Sequence, residues 1–444
     1  VNNSQPQTVD TLIHARWILP MTGADAVLEN KVLAIRDRKI LAILDSQEAS
    51  DWQAEEVLEL DSHALLPGLV NAHGHASMSL LRGIADDLPL KVWLEEHIWP
   101  LEGQHVSREF VRHGAELAIA EMISGGTTTF ADMYFFPDEV AKVAMEARIR
   151  VQLASPILDF PTIWAQDADE YIDKATQLHD DFRNADMVYM AFGPHAPYSV
   201  ADAPLQKIAM LADELDVPIH MHVHETAQEI SEALASDGRR PLQRLADLGL
   251  ISPRLLCIHA TQLEQNEITH LSEHGASVVH CPESNLKLAS GFCEVARLQS
   301  NEVNVALGTD GCASNNDLDM FSEMRSAALV AKAVAGDASA LPALEALRMA
   351  TINGARAMGM DDEIGSLEVG KQADLAAVNL DAINCQPLHN PVSHLVYSTQ
   401  SSQVSHVWVA GKLVYAEGDL KTMDLPLIRQ QAADWQETMA GGKK

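Results

Sequence analysis

The chain has 444 residues and sets 31 Lys+Arg against 63 Asp+Glu, a formal net charge of −32. With 47% apolar and 21% charged residues the composition is that of a globular protein, which excludes disorder as the main state and accommodates one large domain plus a smaller one. The acidity excludes a phosphate-neutralising nucleic-acid footprint and docking on anionic lipid, and no apolar run is long enough for a transmembrane helix.

The acidity itself reads as a solubility and salt-tolerance property. Val1-Asn2-Asn3-Ser4 offers neither a basic n-region nor an apolar h-region, so no signal peptide is expected. Cys257, Cys281, Cys293, Cys312 and Cys385 are odd in number and lack CxxC spacing, which fits a reduced, cytoplasmic compartment. Cys281 and Cys312 read as small core-lining residues.

Val9–Trp17, Val27–Arg36 and Lys39–Leu44 alternate loosely as strands, with Arg36-Asp37-Arg38 as a hairpin connection. Leu375–Asn379, Val404–Ala410 and Lys412–Tyr415 have the same texture, and Gly441-Gly442-Lys443-Lys444 reads as a frayed tail. The middle has eight β-like runs: Ala64–Ala72, Thr127–Met133, Val151–Ile157, Met187–Phe192, Pro218–Val223, Leu255–Ile258, Ala276–Val279 and Val303–Leu307. Helical patterns at His105–Ser124, Asp138–Arg148, Ala168–Asn184, Pro204–Asp216, Pro241–Gly249 and Gln265–His274 separate most of them. This is the rhythm of an α/β protein with a distorted TIM (β/α)₈ barrel. The expected organisation is a β-sandwich from 1–65 and 365–444, the latter including a C-terminal helix and tail, around a barrel at 66–364.

Barrel enzymes place their chemistry at the C-terminal ends of the strands. There the sequence sets His73-Gly74-His75, His195, His220-Met221-His222-Val223-His224-Glu225, His259, His280 and Asp310. His73 and His75 share a face of an extended strand, where two imidazoles can share one cation. His220, His222 and His224 also share a face, so spacing alone does not choose among them. Chain position favours the one nearest the strand end that leaves Glu225 in the loop. Three His and one Asp leave a place for water on a divalent ion, as a catalytic site requires. The ion brings that water towards ionisation, and a neighbouring carboxylate can carry protons.

The segment Leu66-Pro67-Gly68-Leu69-Val70-Asn71-Ala72-His73-Gly74-His75 resembles the metal-binding opening strand of the amidohydrolase superfamily. The likeness continues through Trp93-Leu94, Glu102, Gly193-Pro194-His195, His222-x-x-Glu225, Ser284-Asn285, Gly308-Thr309-Asp310-Gly311 and Ser314-Asn315-Asn316, to Gly365-Ser366-Leu367. Within the superfamily it looks like the 5'-methylthioadenosine / S-adenosylhomocysteine deaminases. The resemblance implies one divalent metal, most simply zinc, held by His73, His75, His222 and Asp310, although N/O donors also accept iron, cobalt or manganese. Two-metal relatives bridge their ions with a carboxylate on strand four, and Met187–His195 contains neither Lys nor Glu.

The resemblance further implies that Glu225, His259 and Asp310 are catalytic. Glu225 protonates the purine, His259 orients the attacking oxygen and Asp310 takes a proton from water. Glu102, His195, Glu225, Ser314 and Trp93 are the implied substrate-binding residues. By itself Glu102 reads as a solvated loop acid, and Ser314, Asn315 or Asn316 could instead cap a helix starting near Asp317. The expected substrate is a small-molecule nucleoside, and the expected assembly a homo-oligomer, dimer or tetramer. Ile157–Tyr171 lacks Arg and Lys, which favours methylthioadenosine over the charged homocysteine tail. Two alternatives are a guanine or triazine hydrolase and a non-catalytic barrel scaffold.

Overall fold

The computed structural model describes residues 7–23 and 27–441. Val1-Asn2-Asn3-Ser4 and the end of the Gly441–Lys444 tail lie outside them. Among the described residues sixteen strands run β1 (Gln7–Ile18), β2 (Leu28–Arg36), β3 (Lys39–Asp45), β4 (Trp52–Pro67), β5 (Leu69–Asn71), β6 (Thr127–Asp132), β7 (Arg150–Ile157) and β8 (Val188–Pro194). They continue with β9 (Ile219–Val223), β10 (Leu255–His259), β11 (Ser277–His280), β12 (Asn304–Leu307), β13 (Leu375–Asn379), β14 (Val404–Val409), β15 (Lys412–Ala416) and β16 (Asp419–Leu420).

Two eight-stranded sheets result. Strands β5 to β12 pair in chain order, all parallel, with helices in the connections. The Ala72 amide donates to the Leu307 carbonyl at 2.9 Å and brings the first strand's end to the last. The other sheet runs β16-β15-β14-β13-β4-β1-β2-β3 and is drawn from both ends of the chain. The fold is the expected (β/α)₈ barrel beside a mixed sheet.

The boundaries differ in one instructive place. The run Ala64–Ala72 is two strands: Ala64–Pro67 ends the sixteen-residue β4 of the mixed sheet, and Leu69–Asn71 opens the barrel. Gly68 is the break: Pro67 still pairs with β13, Leu69 pairs with β6, and a Cβ at position 68 would collide with the Thr128 side chain. Trp52–Pro67 as a whole escapes the sequence reading, since Glu55, Glu56, Glu59 and Asp61 on exposed positions give its first half a loop-like composition.

Alternation sets which side chains face the lumen. Leu256 and Ile258 of β10 pack inward with Val70, Val279 and Ala306, while Leu255 and Cys257 face the helices. Met358, Met360 and Ile364 join the lumen cluster and fill it from below. Cys281 and Cys312 are fully buried, as expected of core-lining residues. Among the described residues no helix is long and apolar enough to cross a membrane.

Candidate active site and metal centre

His73 and His75 follow β5 rather than lying on it, since the strand ends at Asn71. Their convergence comes from anchoring: the Met133 amide donates to the Gly74 carbonyl at 3.0 Å, and the Ala76 amide to Asp132 Oδ1 at 2.6 Å. His73 Nε2 and His75 Nε2 lie 3.4 and 3.3 Å from the same Asp310 oxygen, Oδ1. His222 Nε2 is 3.3 Å from His73 Nε2. Gly308 lets this happen, because a Cβ there would meet the His73 backbone nitrogen at 2.8 Å.

The outer nitrogen of each ring is occupied. His75 Nδ1 is 2.6 Å from the Met133 carbonyl, His222 Nδ1 is 2.8 Å from the His195 carbonyl, and His73 Nδ1 is 2.7 Å from His220 Nε2. A carbonyl only accepts, so His75 and His222 donate outward through Nδ1, which makes Nε2 of each the nitrogen that faces the centre. Three such nitrogens and a carboxylate face one another there with no Lys or Arg among them, a donor set that calls for a cation. Three of the separations, His73 and His75 to Asp310 and His73 to His222, are 3.3–3.4 Å, the edge length of a tetrahedron whose metal–ligand bonds are about 2.0–2.1 Å, and the donors fall into two groups within 4.8 Å that share His73: His73, His75 and Asp310, and His73, His222 and His259.

The three histidines at 220, 222 and 224 part company, the last lying just past β9. His220 and His222 alternate into the lumen, but His224 sits at φ +55°, and its Nε2 accepts from the Leu242 amide at 3.1 Å, away from the cluster. His259 shows the converse effect. Strict alternation would turn it towards the helices with Cys257, but a left-handed φ of 71° accompanies its ring's entry into the site.

Burial drives the His222 ring well below the ordinary imidazole range, with neighbouring rings adding to it. It takes His73 to about 4 against an opposing Asp310 hydrogen bond. Burial also lowers His75, but the Asp310 contact outweighs it and brings the ring to about 9. Burial resists ionisation of Asp310, yet hydrogen bonds from His73 and His75 hold its carboxyl well below the usual range. Its other oxygen, Oδ2, accepts from Ser284 Oγ at 2.6 Å and Ser314 Oγ at 2.8 Å. Ser314 therefore buttresses Asp310 and also lines the cavity. The helix after it starts at Met320 with Asp319 as its cap, so the capping alternative for Ser314, Asn315 and Asn316 is not realised.

Above the cluster opens a cavity of about 370 Å³ lined by His75, His222, Asp310, Glu225, His259, His195, Glu102, Trp93 and Ser314. Of the metal, catalytic and substrate-binding residues that the resemblance implies, all but His73 border it, whereas His220, His224 and His280 at the other strand ends do not. Burial pushes the Glu225 carboxyl up, partly offset by His259, whose Nε2 is 3.8 Å from Glu225 Oε1. His259 Nδ1 in turn is 2.9 Å from Asn285 Oδ1. Burial takes His195 down to about 4, and its Nδ1 is 3.1 Å from Ser199 Oγ. Glu102, on the helix Trp99–His105, is also raised by burial and accepts from the Tyr134 hydroxyl at 2.6 Å. The rest of the wall is mostly apolar, including Leu94, Ile98, Leu158, Phe160 and Ile163, and contains no Lys or Arg among the described residues.

Ser284 belongs to the Ser284-Asn285 motif of the resemblance, although no role is read for it there, and two further contributors escape the sequence reading. Tyr134 carries no diagnostic spacing. Glu229 does: Thr226-x-x-Glu229 is a capping-box pattern, in which Thr226 accepts from the Glu229 amide. Its carboxylate accepts from the amides of His224 at 3.2 Å and Glu225 at 2.8 Å, and so holds the turn that presents Glu225.

The amidohydrolase family profile matches residues 64–414. A 5-methylthioadenosine/S-adenosylhomocysteine deaminase of Teredinibacter turnerae is 51% identical over 438 residues, 98% of this chain and 99% of that one. The crystal structure of an adenosine deaminase from Xanthomonas campestris with bound zinc is 50% identical, with a TM-score of 0.97 over 98% of this chain and 100% of that one. An atrazine chlorohydrolase from Arthrobacter aurescens, 24% identical, shares the fold with a TM-score of 0.90 over 96% of this chain and 99% of its own. This chain belongs to the amidohydrolase family, among relatives that are 5-methylthioadenosine/S-adenosylhomocysteine deaminases.

Proposed function

We propose that the chain is a metal-dependent hydrolytic deaminase of adenine nucleosides, converting 5'-methylthioadenosine to 5'-methylthioinosine and ammonia. S-adenosylhomocysteine and adenosine follow as slower substrates. The observation that carries this reading is the convergence of His73, His75 and Asp310 at 3.3–3.4 Å, joined by His222, in a chain half identical to such deaminases. These four residues would hold one divalent ion, zinc by preference. When bound, the ion supplies the Lewis acidity that lets water ionise near neutral pH.

The residues around it divide the remaining work. Asp310, its Oδ2 steadied by Ser284 and Ser314, accepts a proton from the attacking water. Glu225, whose burial favours the protonated form, gives a proton to purine N1 and makes C6 electrophilic. His259, held by Asn285, orients the oxygen that adds to C6. The tetrahedral carbon then loses its amino group as ammonia, which takes the proton that Asp310 accepted from water, while the C6 hydroxyl proton returns to Glu225 as the carbonyl forms. Glu102 accepts hydrogen bonds from the ribose hydroxyls, His195 binds the nucleoside, and Trp93 forms part of the apolar wall. Guanine and triazines lack those hydroxyls and leave the half-buried Glu102 without a task.

The apolar wall without a cation suits a methylthio group and leaves an α-carboxylate unpaired. The domain reading stays with this proposal: a sandwich from 1–65 and 365–444 around a barrel at 66–364, supported by the two sheets. A cytoplasmic setting is supported by five buried free thiols. A homo-oligomer, dimer or tetramer, belongs to the same proposal, and light scattering tests it.

The test is Glu225→Gln. It should keep the zinc content of the parent and lose about 10²–10⁴ in kcat on methylthioadenosine. Parental turnover in that variant would remove Glu225 from the chemistry. Comparing kcat/KM for methylthioadenosine, adenosine and S-adenosylhomocysteine tests the order, and a preference for S-adenosylhomocysteine would overturn it.

A further inference from the structure

The helix Gln265–Glu273 runs back between the parallel strands β10 and β11, so its last turn lies at the end of the barrel opposite the imidazole cluster. There His270, Glu273 and His274 occupy positions i, i+3 and i+4 and share one helix face. One ligand atom from each lies within 4.8 Å of the other two. The two ring centroids are 4.1 Å apart.

The local hydrogen bonding prepares the group for a cation. His274 Nδ1 is 2.9 Å from the His270 carbonyl, which can only accept, so Nδ1 carries the hydrogen and Nε2 keeps a free lone pair. Glu273 and His274 are exposed and His270 is half-buried, so an ion reaches all three from solvent. The net charge of −32 raises the local cation concentration around the molecule.

We propose that His270, Glu273 and His274 form a second, surface transition-metal site, separate from the buried one. Two imidazole nitrogens and one carboxylate oxygen select a borderline cation of the copper(II), nickel(II) or zinc(II) class over magnesium or calcium, with water completing the shell. Bound there, the ion ties the helix's last turn to the Gly275 turn that leads into β11, a clip that leaves the chemistry at the other end untouched. Gly275, at φ +70°, already fixes that turn.

The experiment titrates tag-free, zinc-loaded protein with copper(II) and follows it by electron paramagnetic resonance, with zinc release measured in parallel. The parent should take up one copper per chain with two nitrogen ligands and keep its buried zinc. His270→Ala and His274→Ala should each weaken that uptake by at least about tenfold, with turnover unchanged. Glu273→Gln should weaken it less. Equal copper uptake in parent and both histidine variants, loss in only one of them, or no stoichiometric uptake by the parent would each overturn the site. None of these results bears on the deaminase reading, since the two sites share no residue.

Discussion

His220 Nε2 lies 2.7 Å from His73 Nδ1, and neither ring is exposed. The other nitrogen of His73 faces Asp310 and His222, so His220 orients a proposed ligand without touching the ion itself. Removing such an outer partner costs metal affinity of about 10–100-fold. His220→Ala should show that loss in chelator competition, while saturating zinc restores most of kcat. Unchanged affinity would show that His73 needs no such support.

Tyr134 donates to Glu102 at 2.6 Å from the end of the second barrel strand. A hydrogen bond to a charged group contributes about 1.5–3 kcal/mol, so Tyr134→Phe should raise KM for nucleosides roughly tenfold or more. Its kcat should change little. Steady-state kinetics on methylthioadenosine and on its 2',3'-dideoxy analogue check the ribose assignment. The analogue should show a much smaller difference between parent and variant.

Arg150 at the start of β7 and Asp374 just before β13 form an ion pair at 3.1 Å, each side chain 3% exposed. It links the barrel to the mixed sheet, and Asp374 Oδ1 also accepts from the Ala410 amide at 2.7 Å. Asp374→Ala leaves a guanidinium buried without its partner and should cost about 3–5 kcal/mol. Replacing both residues by apolar ones should recover part of that loss. Denaturant midpoints of the three proteins measure it.

Glu323 is fully buried, and burial followed by the charge of Glu283 pushes its carboxyl well above the ordinary range. A raised carboxyl holds its proton more tightly in the folded state. Its contribution to stability is complete below the unfolded value of about 4.3 and fades as pH rises through the folded one. Glu323→Gln should therefore gain thermal stability over the parent at about pH 8, and that gain should shrink towards about pH 5. A gain independent of pH would contradict this.

The barrel was legible because its inner strands are continuous apolar runs that end in His, Glu or Asp, and two-sided burial requires such runs. The break at Gly68 was not, since both halves of Ala64–Ala72 are equally buried and only their pairing partners, β13 for one and β6 for the other, separate them. His222 could not be told from His224 by spacing, because the positive φ of His224 belongs to the turn that Glu229 holds. The residues that touch the proposed ion announce themselves by type and position. The residue behind Glu102, Tyr134, and the part Ser284 plays at Asp310 become visible only through distances.

The most direct test is loss of adenine absorbance with matching ammonia release when methylthioadenosine meets the protein as prepared, after chelator treatment, and after zinc is restored. The expected result is turnover that disappears with the metal and returns with it, at one zinc per chain in the buried site. Deamination that persists in metal-free protein, or zinc-loaded protein inert towards every adenine nucleoside, would contradict the assignment.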